Sequence, residues 1–166
     1  MIEMTVAGIA LDAASRTPIV LLRDTTERRA LPIWISQEQA KSIIVALDGQ
    51  TPPRPLTHDL LANVLQEWGM TVDRVIIHAL QDSTFYAVLK VRQGEVVREI
   101  DARPSDAIAL ALRMEAPIWV MEEVVAEASI PVNQEADEED RAEFRRFLSN
   151  ISPSDFTNRR KESAND

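Results

Sequence analysis

Six side chains in two short segments could do most of the acid–base and charge chemistry available to this chain. The first segment is Pro53-Arg54-Pro55-Leu56-Thr57-His58-Asp59, which sets a guanidinium, an imidazole and a carboxylate beside two prolines that stiffen the backbone. The second is Asp101-Ala102-Arg103-Pro104-Ser105-Asp106, again an Arg-Pro pair with acids close by. An arginine fork matches the oxygens of a phosphate. A histidine titrates near neutral pH and can give or take a proton in a reaction. Carboxylates orient such a histidine or ligate a hard divalent cation.

The same residues also have an ordinary structural explanation. Thr57 is a plausible N-cap for a helix, and His58 and Asp59 would then fill its first turn, where free N–H groups and the positive dipole end favour anions. Pro104 suits the first turn of another helix, with Ser105 and Asp106 as capping residues. Asp-x(4)-Asp alone is weak evidence for a metal. Two such segments in one domain carry more weight, and the test is whether they meet in space.

The elements that must position them can be read from periodicity. Residues 2–11, Pro18-Ile19-Val20-Leu21-Leu22 and Leu31-Pro32-Ile33-Trp34-Ile35 read as strands joined by polar turns at 12–18 and 24–29. Pro32 places the third near a sheet edge or a strand entry. Ser36 with Gln39 forms a capping box, and Ala40, Ile43, Ile44 and Leu47 line one helical face that Gly49 ends. After the proline-rich loop 50–55, Leu60, Leu61, Val64, Leu65 and Trp68 form the apolar stripe of a second helix, stopped by Gly69. Two long strands follow over 72–81 and 83–92. A turn at Gln93-Gly94 and a returning strand 95–101 lead to a helix faced by Ala107, Ile108, Ala111 and Leu112. Residues 117–121 read as a short buried strand. The order predicts an α+β fold: a mixed, largely antiparallel sheet packed against helices, in one domain over 1–130. Residues 131–151 read as an acidic linker and a short amphipathic helix (Phe144, Phe147, Leu148, Ile151), and 152–166 as a disordered polar tail.

Composition narrows the function. The chain has 166 residues, no cysteine and two histidines, so thiolate metal sites and disulfides are excluded and any metal would be held mainly by oxygen. A net charge of -9, spread over body and tail, argues against a protein that coats nucleic acid. It leaves room for a small basic site or a metal bridging to phosphate. No apolar run is long enough for a membrane span, and Met1-Ile2-Glu3-Met4 lacks the features of a signal peptide, so a soluble cytoplasmic protein is expected. His78 reads as a structural histidine. Lys90, Arg92 and Arg98 read as a solvated sheet face, and Trp34, Trp68 and Trp119 as apolar mass first.

Leu31-Pro32-Ile33-Trp34-Ile35 followed by Glu38-Gln39-Ala40, Pro53–Asp59, Thr84-Phe85-Tyr86-Ala87 and Asp101–Leu110, in that order, resemble the motifs of the bifunctional nuclease family. The resemblance runs from about residue 2 to 130. It implies an α+β fold, homo-oligomers, and nuclease activity on DNA and RNA. Carried over residue by residue, it makes Arg54, His58, Arg103 and Asp101 the candidate catalytic residues. Asp59, Asp101 and Asp106 become candidate ligands for Mg²⁺ or Mn²⁺, and Glu38 a lesser candidate. The expected function is phosphodiester hydrolysis with nucleic acid as substrate and no membrane. The alternative is a non-catalytic oligomeric regulatory or scaffold module that binds a protein partner or a small anionic ligand.

Overall fold

A computed structural model describes residues 1–26 and 28–132, together with Ala142, Glu143 and Arg146. The chain divides into two units, Met1–Val132 and Asn133–Asp166. The expectations of a linker, an amphipathic helix and a disordered tail fall almost wholly outside the described residues.

The first unit is an eight-stranded mixed sheet with four helices, an α+β fold as expected. β1 (Ile2–Leu11), β2 (Pro18–Asp24) and β3 (Arg29–Trp34) form an antiparallel meander. The β2–β3 turn is tied by Asp24, which is buried and accepts from Thr26 Oγ1 (3.0 Å) and the Arg28 amide (3.0 Å). β2 therefore runs two residues past its apolar stretch. α1 (Gln37–Leu47) starts from the Ser36–Gln39 box: the Gln39 amide donates to Ser36 Oγ, and the Ser36 amide donates to Gln39 Oε1 at 2.8 Å. α2 (Thr57–Glu67) follows the proline loop.

β4 (Thr71–Gln81), β5 (Thr84–Gln93) and β6 (Val96–Ala102) form a second antiparallel meander. Its first turn is two residues, Asp82 and Ser83, both at positive φ, the backbone that matches strand twist in a tight hairpin. Its second contains Gly94 at φ +57°. α3 (Pro104–Met114) then leads to β7 (Ile118–Val120), α4 (Glu122–Ala128) and β8 (Ile130–Pro131). The sheet order is β6-β5-β4-β7-β1-β2-β3-β8, so β7 sits between the meanders, parallel to β4 and antiparallel to β1. α4 and β8 are not signalled by the sequence pattern, because both are short. β8 pairs only with Arg29 and Ala30, which leaves Pro32 on an otherwise open edge, where a missing N–H is tolerated.

α3 is the centre of the fold. Pro104 needs no amide partner at the first helical position, and Ala107, Ile108, Ala109, Leu110 and Ala111 are all buried. Three alanines in that run let α1, α2, β4 and β5 approach the helix closely. α2 departs from expectation in two ways. Its N-cap is Leu56 rather than Thr57, and Asp59 accepts the Leu56 amide at 2.8 Å, so the carboxylate does the capping from inside the helix. Its apolar stripe is not core: Leu60, Leu61, Val64 and Trp68 are exposed and only Ala62 is buried. Trp34 is also exposed, so neither tryptophan contributes mainly to the core. Among the described residues, no helix is long and apolar enough to cross a membrane.

Ile108 is fully buried at the junction of α3 with its neighbours. Ile108→Ala should cost about 2–5 kcal/mol of unfolding free energy in a urea titration. A loss under about 1 kcal/mol would mean that α3 is not packed as described.

Candidate functional site

The two Arg-Pro segments meet. α2 presents His58 from its first turn and α3 presents Asp106 from its own, and His58 Nε2 lies 3.0 Å from Asp106 Oδ1. The other Asp106 oxygen accepts from Arg103 Nε at 2.6 Å. On the far side of the ring, His58 Nδ1 lies 2.7 Å from the hydroxyl of Ser42, in the middle of α1. The chain Arg103–Asp106–His58–Ser42 therefore runs from surface to interior. Side-chain exposure is 68% at Arg103, 32% at Asp106 and 16% at His58, and Ser42 as a residue is 9% exposed.

A second network backs the first. Arg113, near the end of α3 and 8% exposed, donates from Nε to Asp59 Oδ1 (2.7 Å), from Nη1 to the Ala109 carbonyl (2.8 Å) and from Nη2 to the Ser42 carbonyl (3.1 Å). Ser42 thus takes part in both networks, through its hydroxyl in one and its carbonyl in the other. Burial raises the pKa of Asp106, but hydrogen bonds from Arg103 and His58 outweigh it and hold the carboxyl below its usual range. The Arg113 hydrogen bond, then the Leu56 amide, hold Asp59 low as well, against a smaller opposing effect of burial.

The other candidates lie outside this cluster. Arg54 sits exposed in the proline loop with no hydrogen bond or ion pair among the described residues. Asp101 pairs with Val88 across β5–β6, in step with Lys90 and Glu99, whose side chains bridge at 2.9 Å. Directly opposite residues in an antiparallel pair share a face. Asp101 therefore lies on the Lys90–Glu99 face of the sheet, away from the buried Ala87, Leu89 and Val91, and makes no hydrogen bond to His58, Arg103 or Asp106. Glu38 is exposed in the first turn of α1. His78 is exposed, its ring 6.4 Å from that of Tyr86, rather than enclosed in structure. Lys90 and Arg92 are paired with Glu99 and Asp73, as a solvated sheet face would have them.

The three carboxylates assigned to a metal do not fit a shared ion as they stand. Both oxygens of Asp59 are held by Arg113 and the Leu56 amide, both of Asp106 by His58 and Arg103, and Asp101 lies on the other face of its strand pair. Among the described residues, no group of three or more His, Asp or Glu could hold a metal. Sequence reasoning missed Ser42 and Arg113. The signal for Ser42 was a hydroxyl beside the buried positions of an apolar helix, where serine is a poorer choice than alanine. Arg113 gave none, since a base in the last helical turn has a sufficient explanation in the dipole.

Arg113→Met should destabilise the fold by about 1–3 kcal/mol, because it strips a half-buried carboxylate and two carbonyls of their donor. Asp59 and Asp106 bind protons more weakly folded than unfolded. Their contribution to stability is therefore full above about pH 4 and is lost as pH falls through the lower folded values. Urea unfolding should accordingly show wild type losing more stability between about pH 5 and pH 2.5 than Asp59→Asn loses. Equal losses would contradict the ion pair.

Similarity to known proteins bears on what this cluster serves. Residues 20–133 match the sequence model of the bifunctional nuclease domain. An uncharacterised protein of Mycobacterium tuberculosis is 41% identical over 162 residues, covering 93% of this chain and 97% of that protein. Bifunctional nuclease 1 of Oryza sativa subsp. indica is 27% identical over 126 residues, covering 74% of this chain but 38% of the rice protein. A bifunctional nuclease of Oryza minuta matches to the same extent. The matched segment contains all of α1, α2 and α3, which carry Ser42, His58 and Asp106, and Arg103 at the N-cap of α3, and the chain belongs to the bifunctional nuclease domain family.

Proposed function

We propose that this protein is a nuclease that hydrolyses phosphodiester bonds of DNA or RNA at the His58–Asp106–Arg103 cluster. The observation that carries the reading is the 3.0 Å contact between His58 and Asp106, which joins the two Arg-Pro segments into one polar chain opening at an exposed arginine. In this reading His58 moves a proton in the cleavage step, oriented by Asp106. Arg103 and the unpaired Arg54 neutralise the phosphate. The naming of the rice relatives supports the substrate class. Dependence on Mg²⁺ or Mn²⁺ is proposed from the carboxylates beside both Arg-Pro segments, which are hard oxygen donors of the kind these ions take.

The test is cleavage of single- and double-stranded DNA and RNA by the purified full chain, in Mg²⁺, in Mn²⁺ and in EDTA. Wild type should cleave, and His58→Ala and Asp106→Asn should each lower the rate about 10²-fold or more. Cleavage that is lost in EDTA and restored by a metal would support the ion. Cleavage unaffected by both substitutions would place the chemistry elsewhere.

One observation favours the non-catalytic alternative. Both ring nitrogens of His58, and both oxygens of Asp59 and of Asp106, have partners within the chain, as a device that only staples three helices would require. A well-folded wild type that cleaves none of the substrates would select that reading.

Self-association is part of the proposal as well, supported by the apolar side chains that α2 leaves open, Leu60, Leu61, Val64 and Trp68. In sedimentation, wild type should run as a dimer or larger and Leu60→Glu with Val64→Glu should shift it toward monomer. A monomeric wild type would remove the idea.

A further inference from the structure

We propose that Ser42 is a positioning residue for His58: Asp106 holds the Nε2–H, and the Ser42 hydroxyl bonds Nδ1 and fixes the ring in that tautomer. As a statement about catalysis this rests on the nuclease reading. As a statement about the ring it stands on geometry.

A neutral imidazole has one N–H donor and one bare acceptor nitrogen. Asp106 Oδ1, 3.0 Å from Nε2, belongs to a carboxylate whose other oxygen is held by a guanidinium, so it can only accept. Nε2 must then carry the hydrogen, and Nδ1 is the bare nitrogen. Ser42 Oγ, 2.7 Å away, donates to it. When His58 gains a second proton, Nδ1 is the only place for it. The serine hydroxyl then turns and accepts, because a hydroxyl is both donor and acceptor. One neutral side chain thus serves both charge states without the ring moving. Alanine would serve neither.

The surroundings fix this polarity. Ser42 projects from α1, and its own carbonyl is held by Arg113, so the turn that carries it is tied to α3. The charged groups facing His58 are Asp106 and Arg103 at the head of α3 and, on its own helix, Asp59, which is paired with Arg113. No second carboxylate among these makes a hydrogen bond to the ring. Ser42 is nearly buried, so bulk water competes poorly for the Nδ1 position. Ser42 is accordingly a positioning residue that acts through His58.

The test reads the ring directly. The chain has only two histidines, so long-range ¹H–¹⁵N spectra of the full-length protein are assignable with a His78→Gln variant. Neutral His58 should be the Nε2–H tautomer, with the downfield ¹⁵N resonance of a bare nitrogen at Nδ1 and not at Nε2. A neutral Nδ1–H tautomer, or the averaged signals of a free imidazole, would overturn the proposal. In the cleavage assay, Ser42→Ala should lower kcat about tenfold or more with KM within about twofold, and displace the limb of the pH–rate profile that reports His58. An unchanged kcat and profile would overturn the role of Ser42. If wild type cleaves nothing, the nuclease reading fails, while the tautomer spectrum still decides the ring assignment.

Discussion

The architecture of the site depends on one nearly buried guanidinium. Arg113 touches all three helices at once: Asp59 on α2, the Ser42 carbonyl on α1, and the Ala109 carbonyl one turn back on α3. A planar fork with fixed donors can do this in a way that a flexible ammonium cannot. Without it, the N-terminal turn of α2 would lose the partner of its capping carboxylate, and the Ser42 turn would lose its tie to α3. The imidazole between them would then have no defined pose. Burying a charge with one short ion pair and two carbonyl bonds is weak evidence for stability, since desolvation offsets much of the attraction. It is stronger evidence that a particular arrangement of the helices is being specified.

Upon that frame the polar chain from Arg103 to Ser42 is graded. Its outer end is strongly solvated and its inner end nearly dry, so electrostatic effects strengthen inward. The outer arginine is open to solvent while it holds Asp106 ionised. The inner serine sees little water and can keep a fixed geometry.

Much of the fold could be read from the sequence, for physical reasons. β1, the Ser36–Gln39 box, the end of α1 near Gly49 and the Pro104 helix start are local, and local signals are written in neighbouring residues. The meeting of His58 with Asp106 was a hypothesis only, because a contact across 48 residues is decided by topology. Asp101 illustrates the limit. It is five residues from Asp106, yet strand alternation turns it to the other face of its pair, and register cannot be known before the partner strand is. Leu60, Leu61, Val64 and Trp68 have the spacing of a buried helix face and are open. Periodicity reports that a face is apolar and does not say what covers it.

The three residues of β7 carry a consequence for how the molecule comes together. Each meander closes through short turns, so each can form from neighbouring chain. β7 alone joins them, pairing with β1 at the start of the chain and with β4 across a parallel crossover that includes α3. Non-local and parallel pairings are the slow steps of folding, because the loop must be closed before the contact rewards it. The helix that delivers Asp106 and Arg113 is the one that leads into β7, whereas α1 packs on β1 and β2 of the first meander and α2 runs into β4 of the second. Zipping the seam therefore accompanies the packing of α1, from one meander, against α3, which leads out of the other. During synthesis the cluster cannot be complete until Arg113, the last of its residues, has left the ribosome.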